Sequence, residues 1–198
     1  MPSDTHEQDR QRLLDAAEAL FYGRGIQAVG MDRLRAESRL PLKRIYQLFP
    51  GKDEMIVAFL RRRHERMMAS IQAFLVGTPP GEERVLAIFE WLRDWFREPD
   101  FRGCPWMNAY GELGPTNAAV AAEVHHHQRE FRQILTRVPA SAGYPKAVAD
   151  AIYLLVEGAV VAASVQHTPA PASEARQAAE ILLAATARPP AGSVPASA

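Results

Sequence analysis

Apolar residues in this chain recur at intervals of three and four, and almost no segment alternates apolar with polar residues. That period is the signature of a helix burying one stripe, whereas a half-buried strand needs a period of two. The expected fold class is therefore all-α. Breaker clusters at Gly23 to Gly25, Phe49-Pro50-Gly51, Gly77 to Gly81, Glu98-Pro99-Asp100, Gly114-Pro115, Pro139 to Pro145 and Thr168 to Ala172 set the boundaries. They predict about nine helices, over 8–24, 31–38, 41–48, 52–76, 82–97, 104–113, 117–138, 146–167 and 173–187.

With 198 residues, of which 47% are hydrophobic, the chain has enough apolar side chains for a real core in one or two domains. Its single cysteine, Cys104, forms no internal disulfide framework and suits a reducing, cytoplasmic compartment. The start, MPSDTHEQDRQR, lacks the pattern of a secretory signal, and the apolar run 151–165 is broken by Glu157. It falls short of the roughly 18 to 20 residues that span a bilayer, so no transmembrane helix and no membrane partner are expected. The tail, 189–198, has no apolar periodicity and is expected to be disordered.

No Ser-His-Asp set, carboxylate pair or glycine-rich phosphate loop stands out, so no catalytic residues and no cofactor are expected. His125, His126 and His127 are successive, and successive helical side chains point about 100° apart, so they are read as a solvated face, with no metal site. Cys104 lies near a helix N-terminus, which lowers a thiol pKa, but a buried inert thiol is the expectation.

The formal net charge is zero, but it is unevenly spread. Residues 1–66 hold 13 Lys and Arg against 10 Asp and Glu, while the remainder holds 10 against 13. The stretch from Ser38 to Lys52 carries Arg39, Lys43, Arg44 and Lys52 and no acid. Phosphate attraction acts within a Debye length of about 8 to 10 Å, so this local excess matters more than the total. Two short predicted helices, 31–38 and 41–48, separated by a tight turn and preceded by an amphipathic helix, form the mechanical unit of a helix-turn-helix. Ile45, Leu48 and Phe49 are expected to face inward, with Leu34, Ala36 and Leu40 opposite. Leu42, Lys43, Arg44, Tyr46 and Gln47 are left as outward candidates.

The segment LLDAAEALFYGRGIQAVGMDRLRAESRLPLKRIYQLFPGKDEMIVAFL resembles the N-terminal module of the TetR (tetracycline-repressor-like) family. The likeness lies in an ordered series: an AA-x-x-LF helix, a G-R-G-x-x-A turn, an M-D-x-L helix, then I-Y-x-x-F-P-x-K-D. The resemblance implies an N-terminal helix-turn-helix domain, 7–67, with its reading motif at about 31–50, and a helical ligand-binding and dimerisation domain, 68–188. It implies double-stranded operator DNA as partner, a homodimer, and a partly apolar small-molecule effector. On this reading Tyr46 meets the DNA backbone and Lys52 a phosphate. Lys43 and Arg44 suit either guanine edges or phosphates, and Arg39, Leu42 and Gln47 complete the DNA-binding set. Val29-Gly30 replaces a common Thr-Ser, Arg39 the usual turn glycine, and Pro41-Leu42-Lys43-Arg44 a Ser-Lys-Gly-Thr type start, so the operator sequence does not transfer.

For the second domain, Ala151, Gly158, Ala159 and Ala162 permit close backbone approach, and Ile181 and Leu182 add an apolar face; together they are the dimer candidates. Phe89, Trp91, Trp95, Trp106, Met107, Tyr110 and Tyr153, with the polar Glu112 and Glu157, are the ligand-pocket candidates. RGCPWMNAYGELG also resembles a stretch beginning G-C-P in one branch of the family. A ligand-responsive repressor is the expected function. A helical enzyme or carrier of an apolar compound is the rival, and it gives no reason for a basic segment on a braced short helix.

Overall fold

The computed structural model describes residues 4–186; the expected disordered tail at 189–198 lies outside them. The described residues form nine helices and no strand: α1 (Asp4–Arg24), α2 (Met31–Ser38), α3 (Leu42–Leu48), α4 (Lys52–Val76), α5 (Glu82–Phe96), α6 (Pro105–Leu113), α7 (Ala118–Ser141), α8 (Lys146–Gln166) and α9 (Ala170–Ala185). By contacts the chain separates into two units. One comprises the residues up to Ala69 together with Cys104–Arg129, and the other Ser70–Gly103 together with the residues from Glu130 onward. The division thus follows neighbours in space and not a single cut along the chain: α6 and the first half of α7 lie with the N-terminal helices.

In the first unit, α1 packs on α2 and α3, which pack on each other. Leu13, Leu14, Ala17, Leu20 and Phe21 form the buried stripe of α1 and meet a core that includes Leu34, Ile45, Met55, Ile56, Phe59 and Leu60. Each fully buried Leu, Ile, Met or Phe among them contributes about 1.5 to 3 kcal/mol. Polar bonds fix the register of α1 against α4. Glu18 accepts hydrogen bonds from Arg62, Arg63 and Arg66, and the Arg63 guanidinium lies 3.9 Å from the Tyr22 ring centre. Burial alone would raise the Glu18 pKa; the bonds from Arg62 and Arg66 outweigh it and hold the carboxyl below its ordinary value.

His127 departs from the solvated face expected for the histidine run. His125 and His126 are exposed, but His127 is buried, stacked on Trp106 with ring centres 3.4 Å apart, and its Nδ1 lies 3.0 Å from the Nδ1 of His64. Burial, with His64 and His126 adding to it, pushes its pKa down to about 3. The 100° step between successive helical residues that denies a common metal ion also sends one of three inward.

In the second unit, α5 packs on α8 and α9, and α8 lies along α9. Val148, Ala149, Ile152, Val156, Ala159, Val160 and Ala163 form the buried stripe of α8. Contrary to expectation, α8 is long and apolar enough to cross a membrane by length and composition, because the helix extends beyond the apolar run 151–165. α1 starts at Asp4, four residues before the expected 8, and two boundaries beside prolines differ because proline does less damage at helix ends than inside them. α7 runs through Pro139 to Ser141, its end closed by Ala142 and Tyr144 amides bonding to Val138 and Pro139 carbonyls. α9 starts at Ala170 with Pro171 in its first turn, where no amide hydrogen is needed.

Candidate nucleic-acid interface

The two short helices are joined by Arg39-Leu40-Pro41. Arg39 caps α2 in the left-handed region, at φ 55° and ψ 29°, where glycine would carry no penalty. Pro41 is the N-cap of α3, one residue earlier in the helix than expected, and its carbonyl accepts the Arg44 and Ile45 amides. Gly30, at the N-cap of α2, offers no side-chain cap, as the replacement of Thr-Ser implies.

The brace behind α3 consists of Ile45 and Phe49, which are buried as are Leu34 and Leu40, with Leu48 half-buried. Ala36 is exposed, contrary to expectation; the buried positions of α2 are Leu34 and Ser38, one turn apart, and Ala36 lies on the other side. The Ser38 hydroxyl donates to the Leu34 carbonyl at 2.6 Å, which makes its burial tolerable.

Arg39, Leu42, Lys43, Tyr46 and Gln47 are exposed, Tyr46 at 48% and Leu42 at 38%. Arg44 is half-buried: its Nε donates to Asp9 Oδ2 at 2.7 Å, and the other Asp9 oxygen takes Arg12 at 2.9 Å. Asp9 therefore holds the Arg44 stem against α1. Arg10 adds a cation over the Phe49 ring at 5.2 Å. Neither Asp9 nor Arg10 carries a sequence signal, because both roles arise only from the packing of α1.

Lys52 also has a protein partner. Its ammonium donates to the Ile26 carbonyl at 2.6 Å and sits 5.8 Å from the Phe21 ring centre. Burial lowers its pKa, while Glu112 and Asp53 pull the other way.

The ligand-pocket candidates divide between the two units. Phe89, Trp91, Trp95, Tyr153 and Glu157 belong to the second unit, and Trp106, Met107, Tyr110 and Glu112 to the first. Trp91 and Trp95 pack on each other at 5.7 Å, Trp95 on Phe101 at 5.3 Å, and the Trp91 indole donates to Ser70 at 3.1 Å. Phe89 is buried, and α5 buries both of its apolar sides. Tyr153 lies beneath the Arg132 guanidinium at 4.6 Å. Burial raises the Glu157 pKa, against the effect of a hydrogen bond with Tyr153. Trp106 is buried on His127, whereas Met107 and Tyr110 are exposed. The Glu112 carboxylate binds the backbone of the turn after α1.

Of the dimer candidates, Ala159 is buried, Ala151, Ala162 and Leu182 are half-buried, and Gly158 and Ile181 are exposed. Gly158 lies in an exposed stripe with Leu154, Val161 and Val165, which sequence reasoning did not single out.

Residues 13–59 match the family described as bacterial regulatory proteins, tetR family, and residues 81–179, half of the chain, match the tetracyclin repressor-like C-terminal domain. The chain belongs to the TetR family. A TetR-family transcriptional regulator from Streptomyces coelicolor, SCO4454, is 30% identical with a TM-score of 0.82, over 90% of this chain and 95% of that one. A TetR transcriptional regulator from Chloroflexus aurantiacus is 22% identical with a TM-score of 0.80, over 93% and 98%, and shows the same fold. The HTH-type transcriptional activator FasR of Mycolicibacterium smegmatis is 31% identical over 97 residues, 49% of this chain but only 44% of that relative's length. Within the TetR frame, the G-C-P stretch has a local reason. Gly103 has a φ of +84° and a Cβ there would lie 2.8 Å from Ser164, Cys104 is the N-cap of α6, and Pro105 opens the helix.

Proposed function

We propose that this chain is a sequence-specific DNA-binding regulator of transcription that reads a near-palindromic operator as a homodimer in the cytoplasm and is released by a partly apolar effector. The observation that carries the reading is α3: seven residues on a buried brace, with Leu42, Lys43, Tyr46 and Gln47 outward in a stretch free of acids. Helices of this kind enter the major groove, and cationic side chains beside them neutralise phosphates. Arg39 and Arg44 flank that face, and Lys52 lies at its edge.

Support for the homodimer comes from the outer face of α8. Leu154, Gly158, Val161 and Val165 repeat at four, three and four residues, the spacing of a helix seam, and Ile181 of α9 is 73% exposed. Two copies meeting there would present two α3 helices to half-sites about 34 to 36 Å apart, one turn of DNA. For the effector, the aromatic interior of α5 with Tyr153 and Glu157 suits an apolar body with one polar group. Operator position sets whether bound protein blocks or recruits polymerase; here the bound protein represses, and the effector binds the DNA-incompetent state better.

Selection of bound fragments from random DNA tests the proposal. A recovered palindrome whose affinity falls steeply with salt is the expected result. Recovery of no common sequence would favour a carrier or enzyme of an apolar compound.

A further inference from the structure

The stretch from Ser38 to Lys52 contains no acid in sequence, but it meets one in space. Asp9, on α1, has a side chain only 16% exposed that lies between two guanidinium groups. Its Oδ2 accepts the Nε proton of Arg44 at 2.7 Å, and its Oδ1 accepts an Nη2 proton of Arg12 at 2.9 Å. A carboxylate beside a helix that meets a polyanion weakens the attraction, so the electrostatics of DNA binding give no reason for it. Its effect on Arg44 does.

α3 carries two successive cations in different states. Lys43 is exposed. Its ammonium is a point charge on a flexible stem, which suits a phosphate and tolerates many directions of approach. Arg44 is half-buried and bonded through Nε to another helix. A guanidinium is planar and carries five N–H donors in a fixed arrangement. With Nε engaged, the fork formed by Nε and Nη2 is closed, and the end-on fork formed by Nη1 and Nη2 is left for DNA. Two parallel donors in one plane match the O6 and N7 acceptors that guanine presents in the major groove. Arg44 also stands three residues before Gln47, the spacing of neighbours on a helix surface, and Gln47 is exposed. A stem held in advance has less rotamer freedom to lose when DNA arrives.

We propose that Asp9 is a positioning residue for base recognition: it fixes the Arg44 guanidinium so that Arg44 reads a guanine in each half-site, while Lys43 meets a phosphate. The proposal rests on the DNA-binding reading given above and adds a base that the operator must contain.

The test uses the full chain and the palindrome recovered by selection, synthesised with each guanine replaced in turn by an analogue that carries carbon in place of N7. In the wild type one guanine per half-site should be sensitive, affinity falling about tenfold when both symmetric copies are replaced. In Asp9→Ala the same replacement should cost less than about twofold, as it should in Arg44→Ala, with sensitivity at other guanines unchanged. Asp9→Asn, which keeps a neutral and weaker acceptor, should retain part of the sensitivity. Binding of Asp9→Ala to DNA of unrelated sequence should strengthen, with a salt slope steeper by about 0.9, because the released guanidinium takes a phosphate. A purely structural role for Asp9 would instead weaken binding to both kinds of DNA and leave the pattern of guanine sensitivity as it was. The wild-type pattern in Asp9→Ala overturns the proposal, and so does a wild type that binds the palindrome with no guanine sensitive to the loss of N7; both leave the DNA reading intact. If selection with the wild type recovers no palindrome, the DNA reading falls and this proposal with it.

Discussion

The outward faces of α3 and of α8 are both exposed, but they are built from opposite chemistry. α3 shows Lys43, Gln47 and the hydroxyl-bearing Tyr46, with an acid-free flank; α8 shows Leu154, Val161 and Val165 around Gly158. The first surface gains by meeting a polyanion and loses little by staying in water. The second gains only when another apolar face covers it. On the proposed function, the two faces lie on separate units, so that recognition and assembly are encoded apart and each can be broken without the other.

The largest effect should come from the apolar face. Val161→Glu combined with Ile181→Glu places charges where a second copy would pack. Sedimentation should show a monomer with unchanged helical content, and affinity for a full palindrome should drop at least a hundredfold while a half-site still binds weakly. Next comes the basic face: Lys43→Ala should weaken binding about five- to tenfold and lower the salt slope by about 0.9, one phosphate contact, with the dimer intact.

Smaller effects concern the ion pairs between α1 and α4 and the turn before α3. Glu18→Gln removes a carboxylate held by three arginines, and should cost about 1 to 3 kcal/mol in thermal or denaturant unfolding at pH 7. The Glu18 carboxyl is depressed in the folded chain, so its stabilisation is present above the ordinary carboxylate pKa and is lost as pH falls through the folded value. The difference between wild type and variant should therefore shrink in acid. The smallest effect is Arg39→Gly, which removes a side chain from a left-handed position and should stabilise the fold by up to about 1 kcal/mol while weakening DNA binding.

The helices were legible because their period and their Gly and Pro punctuation are local properties of the chain. The brace of α3 was legible for the same reason, through Ile45 and Phe49. What the sequence hid is what depends on packing between distant segments. Asp9 holds Arg44 across 35 positions, and Glu112 holds Ile26 across 86. Trp106 was grouped with Trp91 and Trp95 on residue type alone, yet its partner is His127, in the other unit. His127 was expected in solvent with its two neighbours, although the same 100° step that separates the three side chains turns one of them inward.

If two copies of α3 read half-sites one turn apart, affinity must follow the spacing of those half-sites. Affinity would be measured for the selected palindrome and for versions with its half-sites moved apart by five and by ten base pairs. Tight binding to the original is expected, with a loss of at least about thirtyfold at five, where the second half-site turns to the opposite side of the helix. Equal affinity for the original and the five-base-pair insertion would contradict it.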